Sequence, residues 1–193
     1  GFILSYPGGT TGMSLSGAEL GGHAFDLVSD ELEENNNFFN TAEIYGCTPG
    51  YWKNHTDRWI DYSPITTLGS VFDPGTLYPT AMAPYAGTTL IEALEFPGGS
   101  GVEGAKRILF RAAVSSVLNF TAINDPMQPF VFVVPAYGGL GEITTLAGLQ
   151  SAVINALQSG DRGTILALAT QLDEANNAVN NCPLSGTRAF RPM

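Results

Sequence analysis

The chain has 193 residues, 44% of them apolar and only 13% charged, with eight Lys and Arg against eighteen Asp and Glu for a formal charge of -10. This composition fits one packed domain with an appended arm and excludes a chain disordered by composition. It also argues against nucleic acid and anionic membrane surfaces as partners, because only Lys106, Arg107 and Arg111 lie close together.

The sequence starts at Gly1 with no Met and no basic leader, as expected of a mature exported chain whose leader was removed; a trimmed piece is the alternative. Phe2-Ile3-Leu4 is too short to cross a membrane, and no later run reaches ~18 apolar residues, so no membrane insertion is expected. Residues 1–46 read as an acidic, extended arm. They hold Glu19, Asp26, Asp30, Glu31, Glu33, Glu34 and Glu43 and no basic residue. Glycines and Pro7 break the opening stretch, so it reads as strand and loop. Phe2, Leu4 and Tyr6 alternate with Ile3 and Ser5, giving an arm that can add as a strand to a neighbouring subunit. An arm folded on its own domain is the other reading. Phe25 to Leu32 reads as a short helix or strand, broken by Asn35-Asn36-Asn37. Asp26, Asp30, Glu31, Glu33 and Glu34 offer hard oxygen ligands for calcium, but without the EF-hand order, and a solvated acidic face is the plainer meaning.

Residues 47–184 read as the core domain and 185–193 as a tail. From 47 to 86 the chain is rich in aromatics, Pro and turn formers, which implies an aromatic-packed layer with brief helical turns. Thr89 with Glu92 makes a capping-box pattern, so a short helix starts there and ends at Pro97-Gly98-Gly99. Residues 103–119 are small or apolar nearly all round, as in a central buried helix. Phe130 to Val134 has the composition and length of a strand. Leu146, Leu149, Val153, Ile154 and Leu157 form a helical stripe stopped by Gly160. Asp161 then caps a second stripe of Ile165, Leu168, Ala169, Leu172, Ala175 and Val179, giving an antiparallel helical hairpin. The expected fold class is α+β: a mainly helical core with a small β component and an extended N-terminal arm.

Few residues point to catalysis. Gly99-Ser100-Gly101-Val102-Glu103-Gly104 matches a dinucleotide fingerprint, with Asp125 downstream, but no strand precedes it, so it reads as a loop leading into a helix. The two histidines are His23 and His55, and Gly12-Met13-Ser14-Leu15-Ser16 misses the nucleophile elbow at its last position. Two Cys and two His lack zinc spacing. Asp57 and Asp61 flank Trp59 without defining an acid and nucleophile pair. No catalytic residue is assigned, and an enzyme is not expected. Cys47 and Cys182 pair as one disulfide in an exported chain, or stay as buried thiols in a cytosolic one. Asn54-His55-Thr56 and Asn119-Phe120-Thr121 are sequons, glycosylation candidates only in a eukaryotic or archaeal host.

Gly46-Cys47-Thr48-Pro49-Gly50-Tyr51-Trp52-Lys53-Asn54-His55, followed by Trp59, resembles the opening of a CTPGYWKNH-type module found in secreted and cell-surface prokaryotic proteins. The module closes with an Asn-rich segment before Cys-Pro-Leu, matched here by Asn176-Asn177 and Asn180-Asn181-Cys182-Pro183-Leu184. The resemblance covers residues 46–184 and implies an extracellular location and a Cys47–Cys182 disulfide. It implies no catalytic role. Such modules usually sit inside long multidomain proteins, whereas here the module fills most of the sequence. The resulting expectation is a secreted structural subunit that self-assembles into an extracellular filament or surface layer, as a homo-oligomer or homopolymer. The alternative is a cell-surface adhesive or carbohydrate-binding module using Tyr51, Trp52 and Trp59, and the third reading is an extracellular hydrolase.

Overall fold

The structure is a computed structural model that describes residues 46–73, 75, 79–122, 131–178, 182 and 184. All belong to the larger of two units of the chain, Asn40–Met193. Several expectations lie outside the described residues: the assembly arm at Phe2, Ile3, Leu4 and Tyr6, the acidic set Asp26, Asp30, Glu31, Glu33 and Glu34, the element at Phe25 to Leu32, Val179, and the tail 185–193.

Among the described residues seven α-helices run in order: α1 Pro49–Asn54, α2 Leu68–Phe72, α3 Pro79–Met82, α4 Leu90–Leu94, α5 Gly101–Ala122, α6 Leu146–Ser159 and α7 Arg162–Asn176, with a 3-10 turn at Thr56–Arg58 after α1. Their starts are set by short polar side chains, as helix ends require. Thr48 accepts from the Tyr51 N–H, and Pro49 occupies the first turn of α1, where its missing donor costs nothing. At α4 the capping box forms in full: Thr89 accepts from the Glu92 N–H, and the Glu92 carboxylate accepts from the Thr89 N–H. The Thr89 hydroxyl also donates to the Glu92 carboxylate at 2.7 Å, and this bond, followed by the one from the Thr89 N–H, holds the Glu92 carboxyl below its ordinary pKa. The N-caps of α2 and α4 also meet. Leu68 N–H donates to the Thr88 carbonyl and Leu90 N–H to the Thr66 carbonyl, both at 2.8 Å.

α5 is the axis of the fold. At 22 residues it is about 33 Å long. Its second half is buried on every side, as the lack of a polar stripe implies. α7 packs along it most extensively, and α1, α4 and α6 surround the rest. The α6–α7 hairpin closes as the sequence suggests. Gly160 takes a left-handed φ of 63°, and Asp161 caps α7 by accepting from the Thr164 N–H at 2.7 Å. Of the fingerprint-like glycines, Gly104 serves close packing. A Cβ on Gly104 would collide with the Gly99 carbonyl, so the chain can fold tightly back on the first turn of α5 only without one. No strand leads into them, and the dinucleotide reading ends there.

The expected β component does not form among the described residues. The domain is mainly helical, and the described residues contain isolated bridges rather than a sheet: Thr67 with Thr89, Val134 with Ile143, and Tyr137 with Leu140. Among the described residues the fold is therefore mainly helical rather than α+β. The physical reason is local. The apolar run from Val131 is halted at Pro135, which has no N–H to donate, and a turn with positive φ at Gly138 and Gly139 returns the chain within a few residues. A pair this short makes no independent sheet. Its apolar residues dock on the helices instead: Phe132, Val134 and Ile143 are buried, and the Phe132 ring meets Phe120 edge-on at 4.9 Å. The Gln171 amide secures the turn to α7 by donating to the Pro135 and Gly141 carbonyls at 2.7 and 2.9 Å.

Candidate functional site

The motif from Cys47 to His55 lies at one place in the fold with its closing segment, and the two are tied together there. Cys47 and Cys182 form a disulfide that links positions 135 residues apart. Beneath it lies a knot of polar side chains from three elements: Ser115, Ser116 and Asn119 on α5, Asn176 at the end of α7, and the Cys47 backbone. All four polar side chains are fully buried. The Asn119 carbonyl oxygen accepts from the Cys47 N–H at 2.9 Å and from the Trp52 indole N–H at 3.1 Å. Its amide nitrogen donates to the Cys47 carbonyl at 3.0 Å and to Asn176 Oδ1 at 2.9 Å. Every hydrogen-bonding position of that one amide is therefore used. Ser115 also donates to the Cys47 carbonyl, at 2.7 Å, and Asn176 donates to the Ala112 carbonyl at 2.9 Å. The Ser116 hydroxyl sits 3.0 Å from Asn176 Oδ1 and 3.2 Å from the Ala112 carbonyl. Buried polar groups cost free energy unless paired, and paired in a closed set they fix one arrangement of the helices.

The outer groups of the motif are used in the same way. Trp52 is 0% exposed, so its ring has no face for a ligand, and it leaves the set of candidate binding aromatics. Tyr51 and Trp59 are half-buried. The Trp59 indole donates to the Trp52 carbonyl at 3.0 Å. The Tyr51 hydroxyl at 3.0 Å and Arg58 at 2.9 Å both donate to the Leu184 carbonyl, strapping the segment after the disulfide onto α1. His55 stacks on the Tyr51 ring at 4.4 Å, and Lys53 pairs with Glu95 at 3.9 Å on the surface. Exposed pairs of that kind contribute little.

A second polar group sits at the start of α5. The Tyr85 hydroxyl donates to the Glu103 carboxylate at 2.7 Å, and Lys106 donates to the other oxygen at 2.8 Å. The Lys106 bond and then the Tyr85 bond hold the Glu103 carboxyl below its ordinary range. Burial, followed by the Glu103 contact, raises Tyr85 from 10.0 to about 12. A phenol raised in the native state loses its stabilising effect as pH climbs, because the unfolded chain ionises first. Stability should therefore fall between pH 10.0 and about 12 more steeply in this protein than in Tyr85→Phe, with a delayed phenolate absorbance in the folded protein. Equal slopes would show that Tyr85 titrates normally.

The sequence points to Cys47 and Cys182 but does not single out Ser115, Asn119 and Asn176 as a unit. The available signal is a serine pair and an asparagine inside the otherwise largely apolar second half of α5. Asn119 had been read as part of a sequon; a fully buried, four-bonded amide cannot carry a glycan in this fold. Among the described residues, no group of three or more His, Cys, Asp and Glu could hold a metal, and no helix is long and apolar enough to cross a membrane. Comparison with protein-family models, curated proteins and solved structures finds no match.

Proposed function

We propose that the chain is a secreted structural subunit that self-assembles into an extracellular filament or surface layer, with residues 1–46 contacting neighbouring subunits. The observation that carries this reading is how the most distinctive motif is used. Thr48 caps α1, Trp52 fills the core, Tyr51 and Arg58 hold the closing segment, and Cys47 is bonded covalently. Residues committed to closing a fold in this way suit a durable scaffold. The disulfide supports an oxidising compartment, as does the likeness of the motif to modules of secreted and cell-surface proteins. Charge supports association. The first 46 residues carry seven acids and no base, while the rest of the chain holds eleven acids against eight bases. A near-neutral body resists self-contact weakly.

In this proposal Phe2, Ile3, Leu4 and Tyr6 supply the apolar contact, and calcium at Asp26, Asp30, Glu31, Glu33 and Glu34 is a candidate cofactor of assembly. Deleting residues 1–16 is expected to leave a folded monomer, with the disulfide intact, that no longer assembles. Sedimentation of the full and shortened chains, with and without calcium, tests this. A full-length chain that stays monomeric at high concentration under both conditions overturns it.

A further inference from the structure

The two sequons have opposite fates in the fold. Asn119 is buried and all of its hydrogen-bonding positions are taken. Asn54 is exposed at the last position of α1, and Thr56 is exposed two residues on. Between them the chain leaves the helix. His55 takes φ -129° and ψ 53°, and a 3-10 turn begins at Thr56. We propose that Asn54 is an N-linked glycosylation site of the mature protein, and that Asn119 is not. This inference rests on the secreted reading above.

The chemistry fits the local bonding. Asn54 Nδ2 has two hydrogens, and one is donated to the Gly50 carbonyl at 2.9 Å. In glycosyl transfer the Asn54 nitrogen attacks the anomeric carbon of a polyprenyl-phosphate-linked oligosaccharide. The new bond joins that carbon to Nδ2, and the bond from the carbon to the phosphate oxygen breaks. The lipid phosphate leaves with the electron pair, and one amide proton passes to a base of the transferase. The product keeps one N–H, the number needed to donate to the Gly50 carbonyl. At Asn119 the same reaction would remove the hydrogen that bonds either Cys47 or Asn176 and would place a sugar inside the core. The choice of site does not depend on timing. Transfer before folding at Asn119 would yield a chain unable to close, and transfer after folding would find only Asn54.

The test is peptide mapping by mass spectrometry of protein purified from its native source, alongside Asn54→Gln and Thr56→Ala variants produced in the same cells. The expected result is sugar mass on the Asn54 peptide, none on the Asn119 peptide, and a full loss of the added mass in both variants. Unmodified mass at Asn54 in the native protein overturns the proposal, as does sugar at Asn119. The same digest reports whether Cys47 and Cys182 are joined. An oxidised chain from the extracellular fraction with a bare Asn54 ends this inference and leaves the secreted reading standing. A reduced chain confined to the cell, with a bare Asn54, ends both.

Discussion

Asn119→Ala is expected to lower the unfolding free energy by about 3–5 kcal/mol, because it leaves buried donors without acceptors at a cost of about 1–3 kcal/mol each. The groups stranded are the Cys47 N–H and the Trp52 indole N–H, both of which donate to Asn119 Oδ1. The Cys47 carbonyl loses one of two donors and keeps Ser115. Asn119→Asp should be at least as damaging. It keeps an acceptor but loses the donor to Cys47 and Asn176, and it buries a carboxylate at a fully enclosed position. Urea unfolding under oxidising conditions measures the effect as a shift in midpoint at unchanged slope. A loss under about 1 kcal/mol, the range of ordinary surface substitutions, would mean that the knot is not what holds the motif to α5.

Cys182→Ser should cost a similar amount by a different route. The bond joins positions 135 residues apart. In the chain-entropy model, freeing a loop that long relaxes the unfolded ensemble by roughly 4–5 kcal/mol. Cys182 is the better position to change because Cys47 is fully buried and a hydroxyl there would need a partner of its own. The two substitutions should also couple. Asn119 holds the Cys47 backbone that the disulfide anchors, so the double variant should lose less than the sum of the singles. Chemical denaturation of wild type, both singles and the double measures this, and strict additivity would separate the knot from the disulfide energetically.

The parts of the fold that could be read from sequence are those set by neighbouring residues. The Thr89 and Glu92 box, the Gly160 stop and the Asp161 cap act over three or four positions, and all form as expected. The breadth of apolar residues on α5 announced its central place, although the helix begins at Gly101 and runs to Ala122, past the expected ends. The Cys47–Cys182 pairing was legible from cysteine count and context. The strand fails for a local reason, and the polar knot escapes notice because its partners lie far along the chain. The run after Pro129 has strand composition, but a strand needs a long partner, and Pro135 with the Gly138–Gly139 turn removes it. Asn119 and Asn176 are 57 residues apart, and nothing local distinguishes a buried, paired asparagine from a surface one. Trp52 and Trp59 look alike as ring faces in sequence. One is sealed in the core and the other half-buried, a difference made by α5 and the closing segment.

Thin charge runs through the whole account. A body that carries eleven acids and eight bases beyond residue 46 has little electrostatic reason to stay apart from copies of itself. The proposed subunit joins that surface to a core closed by one disulfide and one polar knot, and to an acidic segment with an apolar start. The measurement that tests the central claim most directly is negative-stain imaging of the extracellular fraction from the native source, with antibody labelling against this chain. Labelled filaments or sheets are the expected result. Dispersed, labelled single particles, unchanged by concentration or calcium, would contradict it.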